Sequence, residues 1–296
     1  MSIERARSLV EGVGRLPVMP AQADGLLKLV ADTDPDMASV LGVVERDPSL
    51  TAMVLRLVNS ASFGLRTSVS SLRQAVVLLG TSHLRSLALA ASMSQLFSGP
   101  SDSGSCSGEG DAGTPWEHAF AVACGARAIA LELAPGAGEA AFAAGMLHDL
   151  GGLVLSSSFP EAAVIAEAKA AIGSMGRIDA EKEALGADHG ELGAALAERW
   201  GLPAPLVTAV SRHHRITDRF ENDDEEGMEL ASLVAISEAL CVAFDLGPGD
   251  GLHDSPPDPL ERLEAMGTRR PDALALRARD DIARHIGAGA LLQSGR

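Results

Sequence analysis

The chain contains no tyrosine, and only 3% of its residues are aromatic. A β-protein needs recurring aromatic and β-branched segments to cover a pleated surface, and such segments are lacking here, whereas alanine and leucine abound. The natural fold class is therefore all-α. The strongest local pattern agrees. In PSLTAMVLRLVNSA, the apolar residues Leu50, Met53, Val54, Leu57 and Val58 follow an i, i+3, i+4, i+7, i+8 stripe. Asp47 stands where an N-cap belongs and Pro48 at the first helical position, where its missing N–H costs nothing. Thr114 and Pro115 repeat this start and place His118 in the first turn of a helix. The same reading predicts further helices over about 37–46, 72–79, 82–97, 139–148, 160–171, 179–185, 189–200, 203–214, 228–244 and 271–286.

Residues 98–114 hold almost nothing but Gly, Ser, Asp, Glu and Pro, too little apolar surface to fold alone, and read as a linker or loop. The acidic stretch 221–226 and the Pro/Gly-rich stretch 247–259 also read as loops. At 296 residues the chain suits one large domain or two moderate ones. Charges or glycines interrupt each apolar run before the roughly 18 residues of a membrane span, so no membrane contact is expected. The N-terminus MSIERARSLV lacks the apolar region of an export signal. The cysteines Cys106, Cys124 and Cys241 are odd in number and widely spaced. That suits a reducing cytoplasm and offers no CxxC metal pattern. A formal net charge of −16 argues against broad binding to a nucleic-acid backbone, and direct DNA binding is not expected. Arg56, Arg66 and Arg73 form local basic spots, which ordinarily mark a solvated face.

The chemistry lies in the histidines. His118 follows Trp116-Glu117, His148-Asp149 lies in GMLHDLGG, Asp188-His189 in GADHGELG, and His213-His214 in SRHH. Each sits on or at the end of a helical segment, so several helices could aim imidazoles and a carboxylate at one point. Such a set suits Mg, Mn, Fe or Ni rather than a thiolate-bound zinc. His148 and Asp149 are expected to end a helix just before a sharp turn at Gly151-Gly152. A carboxylate at a helix C-terminus is opposed by the macrodipole, which a neighbouring metal would offset; a turn-forming Asp is the rival explanation. His83, His253 and His285 read as ordinary structural histidines. Asn59 and Ser60 could cap the turn after their helix, and Asn59 and Arg56 are weak interaction candidates. Trp200, before Gly201 and Pro203, reads as a helix stop and a core anchor.

The ordered set His118, His148-Asp149, His189 and His213-His214 resembles the metal-dependent HD superfamily. LPVMPAQADGLLKLV, VVERDPSLTAMVLRLVNSASFG and VSSLRQAVVLLGTSHLRSLALAASM narrow the resemblance to HDOD domains, and WEHAFAVA, AAGMLHDLGGLVL, GADHGELGAALAERWGLP and AVSRHH continue it. It covers about 16–240. What it implies is a two-lobed helical architecture: an N-terminal lobe over 1–97, a linker over 98–114 and an HD-type helical bundle over 115–296. It further implies a divalent metal held by His118, His148, Asp149, His189, His213, His214 and Glu238, the last standing in VAISEAL where HD enzymes have an aspartate. HDOD domains generally act as regulatory modules in bacterial signalling, so the expected partners are signalling proteins. The related HD-GYP enzymes hydrolyse cyclic di-GMP, which makes a cyclic dinucleotide a candidate ligand and, were the chain an enzyme, makes His148 and Asp149 its catalytic pair. Against the HD-GYP pattern the HDxGK lysine is Gly152, the glutamate one turn before the first histidine is Thr114, and no GYP triplet occurs. Losing a phosphate-binding lysine favours regulation over turnover.

Overall fold

The computed structural model describes residues 2–14, 16–29, 36–60, 68–97, 114–173, 175–215, 225–246 and 258–293, and every regular element among them is a helix. The first six are α1 (Ser2–Gly12), α2 (Ala21–Lys28), α3 (Met37–Val44), α4 (Pro48–Val58), α5 (Leu72–Leu79) and α6 (Thr81–Phe97). After the Gly/Ser-rich stretch come α7 (Pro115–Leu133), α8 (Gly138–Leu147), α9 (Leu150–Ser158), α10 (Pro160–Ala171), α11 (Arg177–Leu185) and α12 (His189–Arg199). The chain ends with α13 (Ala204–Arg212), α14 (Glu225–Ala243), α15 (Pro259–Ala265) and α16 (Pro271–Gln293).

The caps act as their residue types suggest. The Asp47 carboxylate accepts the backbone N–H of Ser49 at 2.8 Å and of Leu50 at 3.2 Å, which starts α4. At α7, Thr114 Oγ1 accepts from Glu117 N at 3.2 Å while the Glu117 carboxylate accepts from Thr114 N at 2.7 Å, a reciprocal box that fixes the first turn and the position of His118. At the other end of α4, Asn59 donates to the carbonyls of Leu55 and Val69, both at 2.8 Å, and accepts Val69 N–H at 2.7 Å. Its polar atoms hold the incoming chain, which gives Asn59 a role in the fold.

One apolar core runs from Ala23 on α2 through α7 and α8 to Ile282 on α16. A second joins α1 to α9 and α12 through Ala6, Val10, Leu150, Val154, Leu192 and Leu196, with Trp200 packed against it. Cys124 and Cys241 are buried free thiols; Cys106 and His253 lie outside the described residues, as do 98–113 and 247–257.

Four sequence expectations need correction. Gly151 and Gly152 make no turn: the chain breaks helix only at His148 and Asp149, and both glycines lie inside α9. Asp149 is consequently the N-cap residue of α9, where the macrodipole favours a carboxylate, so its charge is not opposed and calls for no metal to offset it. Helices α1, α2, α9 and α15 were not expected, and Pro259, expected in a loop, is the first residue of α15. Finally, Pro135–Ser158 does have the length and apolarity of a membrane span, but 67% of that window is buried inside the protein, because α8 and α9 are core helices.

Candidate metal centre

Two close helix crossings build the site. A Cβ on Gly145 of α8 would lie 2.8 Å from the Ala123 nitrogen of α7, so backbone meets backbone, and the residue after α8, His148, comes level with His118 on α7. A Cβ on Gly151 would overlap the His189 carbonyl oxygen and lie 2.6 Å from the Gly193 nitrogen. Only two glycines allow α9 and α12 to approach so closely, and that approach sets Asp149 beside His189. His213 and His214 follow directly after α13.

All five histidines meet. Ring centroids are 5.2 Å apart for His118 and His148, 5.2 Å for His148 and His213, 5.4 Å for His189 and His213, and 4.0 Å for His213 and His214. Two sets, His118/His148/Asp149 and His189/His213/His214, each bring their ligand atoms within 4.8 Å of one another. They adjoin, since Asp149 Oδ1 lies 3.5 Å from His189 Nε2. His118, His148, His189 and His213 are buried. Glu238 on α14 is also buried and its charge acts on His213 and His214, yet it belongs to neither close set.

The hydrogen bonds assign protons. His148 Nδ1 lies 2.7 Å from Gly145 O, and His213 Nδ1 lies 2.8 Å from Val210 O. A carbonyl only accepts, so each Nδ1 carries a hydrogen, which leaves Nε2 as the ring atom that can offer a lone pair. Those two Nε2 atoms are buried without a hydrogen-bond partner. Leaving a buried acceptor unmet costs about 1–3 kcal/mol. A cation facing these lone pairs would remove that cost. His189 is held differently: its Nδ1 lies 2.7 Å from Glu181 Oε2, which also accepts the His189 backbone N–H at 2.8 Å. This is the carboxylate-backed imidazole common behind metal ligands. His189 Nε2 then stands 3.0 Å from His214 Nε2, about the spacing of two neighbouring ligands on one ion with bonds near 2.1 Å. The donor set therefore fits a hard or borderline divalent metal.

A family model for the HDOD domain matches residues 16–216, more than half of the chain. The chain belongs to the HDOD domain family. A crystal structure from Shewanella amazonensis SB2B, of a protein provisionally named a phosphohydrolase, is 28% identical and superposes with a TM-score of 0.73 over 96% of this chain and 98% of that one. A Marinobacter aquaeolei VT8 protein, provisionally named for signal transduction, is 21% identical with a TM-score of 0.76, covering 99% of this chain and 65% of its own. An uncharacterized protein of Treponema pallidum (strain Nichols) is 26% identical over 246 residues. That match takes in 78% of this chain but only 43% of the Treponema protein, so the HDOD chain spans less than half the length of that relative.

Glu181 is the site residue that the sequence reading of this HDOD chain missed. It lies on α11, and Gly186, with φ +85°, ends that helix in a left-handed cap that folds the chain back so that Glu181 faces His189. The glycine was a readable signal for the reversal, but not for which side chains it would pair. Burial opposes the charge on His189, yet Glu181 outweighs it and raises the imidazole to about 9. Burial likewise opposes the Glu181 charge, but His189 and Arg177 bring that carboxyl down to about 2. Burial pulls in the same sense at Asp149, where His189, Arg177 and the other imidazoles nevertheless hold the carboxyl well below its usual range. Burial and neighbouring imidazoles push His213 well down, and burial together with His189 takes His214 to about 4, so both rings are neutral near pH 7.

The His189–Glu181 pair gives the metal-free protein a defined pH response. With a folded pKa of about 9 against 6.5, His189 contributes stability fully below 6.5 and loses it as pH rises through about 9. Glu181, at about 2 against 4.5, contributes above 4.5 and loses it as pH falls through about 2. The thermal midpoint of metal-free protein is expected to fall between about pH 6.5 and pH 9.5, and Glu181→Gln should lack most of that fall. Equal slopes in the two proteins would dismiss the pairing.

Proposed function

We propose that this chain is a cytoplasmic bacterial signal-transduction module that acts through protein contacts and carries one divalent metal, Mg, Mn, Fe or Ni, in its histidine pocket. The observation that carries the metal is the pair of buried, partnerless Nε2 atoms of His148 and His213 beside the ionised Asp149. His118, His148, Asp149, His189, His213 and His214 would hold it, Glu181 would orient His189, and Glu238 would add negative charge nearby. When bound, such an ion supplies Lewis acidity to an oxygen of a phosphate group. The chain's own residues tie α7, α8, α9, α12 and α13 to one point, so loading the pocket would stabilise their packing. Protein contact is supported by the exposed residues Arg56 on α4 and Arg73 on α5, with Val77, 84% exposed, one turn after Arg73 on the same face.

The enzyme reading, a metal-dependent phosphohydrolase acting on a cyclic dinucleotide, is favoured by the likeness to the Shewanella protein's provisional name. Gly152 and Glu238 speak against it. The test is turnover of cyclic di-GMP by the metal-loaded chain, set beside Asp149→Ala, Arg56→Glu and Arg73→Glu variants. Asp149→Ala is expected to lower thermal stability without any activity to lose, while the arginine variants keep the fold and lose binding to the signalling partner. Robust metal-dependent turnover that Asp149→Ala abolishes would replace regulation by catalysis.

A further inference from the structure

Helix α9 carries no cation next to Asp149, and packing does not explain why. A Cβ on Gly152 would meet nothing closer than Asp149 Oδ1 at 3.6 Å and Arg177 Nη2 at 3.8 Å, both ordinary contacts, and its backbone is plain helix. A side chain would fit there. The space beside it already holds a guanidinium. Arg177 reaches in from the first residue of α11, and its Nε lies 2.9 Å from Glu181 Oε1, the carboxylate that also fixes His189.

We infer that Arg177 is the anion-binding cation of the histidine pocket, its guanidinium set to take a phosphate group. The inference rests on reading the pocket as a metal site. Four observations carry it. The guanidinium is anchored rather than free to wander, because Glu181 holds Nε and is itself held by His189 N–H and Nδ1. It stands at the mouth: the side chain of Arg177 is 21% exposed and that of Asp149 26%, whereas His189 and Glu181 are closed off behind them. Its charge is also required, since Asp149, Glu181 and Glu238 would more than cancel a divalent ion, and the chain as a whole is strongly acidic. Finally, a planar fork beside Asp149 and Gly152 suits two phosphate oxygens better than a point charge would. Arg177 opens α11, 25 positions after Gly152, so a reading along α9 alone finds no cation there.

The test is calorimetric titration of the full chain with inorganic phosphate, metal-loaded and metal-stripped, with metal content measured for every variant. Arg177→Ala is expected to weaken phosphate binding at least about tenfold with helicity and metal content unchanged, and Arg177→Ala/Gly152→Lys to recover most of the loss. A purely structural Arg177 would not be rescued from Gly152. Metal-loaded Arg177→Ala that binds phosphate as wild type does would overturn the inference and leave the metal reading intact. Wild type that takes up no metal yet binds phosphate through Arg177 would overturn the metal reading and keep the cation. Should Arg177→Ala fail to fold, Gly152→Glu places a carboxylate against the guanidinium and is expected to cost the same affinity. No loss there, or no phosphate binding by wild type in either metal state, refutes the assignment.

Discussion

Replacing His148 and Asp149 together by alanine is expected to empty the pocket of divalent metal, with an affinity loss beyond the roughly 10–100-fold that supporting residues of metal sites usually contribute. The two residues join the halves of the site. His148 stands between His118 and His213, with ring centroids 5.2 Å from each, and Asp149 Oδ1 is 3.5 Å from His189 Nε2. Without them the first set keeps only His118, and the set of His189, His213 and His214 loses the carboxylate beside it. The fold should tolerate the change, because the Asp149 side chain makes no capping hydrogen bond to α9 and the loss at His148 is one bond to Gly145 O. Elemental analysis after mild purification decides the matter, with the α-helical circular dichroism as control. Equal metal in variant and wild type, or none in wild type, sinks the metal reading.

Two adjacent glycines should respond in opposite ways. Gly151→Ala forces a Cβ into the His189 carbonyl oxygen and to within 2.6 Å of the Gly193 nitrogen, where the obstruction is backbone and no rotamer can give way. Helices α9 and α12 must part, at a cost of about 3 kcal/mol or more, the upper range for overpacked cores. The same movement takes Asp149 away from His189, so metal uptake should fall with stability. At Gly152 the nearest atom is 3.6 Å from an added Cβ, and Gly152→Ala is expected to be neutral or to stabilise by up to about 1 kcal/mol through helix propensity. Urea denaturation of the two variants checks both signs. A Gly151→Ala protein as stable as wild type would mean that the close crossing does not position the site.

The same glycines mark the limit of what a linear reading can supply. As a dipeptide after His148-Asp149 they look like a turn, and the identity of the obstruction beside Gly151 is a carbonyl from α12, 38 positions further along the chain. Helix starts at α4 and α7 were legible because a cap is local: Asp47 and Thr114 bond to N–H groups two or three residues ahead. The candidate ligands were legible because imidazole and carboxylate chemistry is a property of residue type, and the ordered segments around them resembled one family.

Helical class, membership of the HDOD family and the candidate histidine donors can thus be read along the chain. Folding adds which of them share a pocket, that Glu181 backs His189, that Arg177 stands beside Gly152, and that α1 joins the second core with α9 and α12. The division has one cause. Periodicity and capping act within a few residues, whereas the meeting of α7 with α8 and of α9 with α12 is set by how closely two backbones can approach, and that depends on pairs of small residues whose partnership no spacing along the chain reveals.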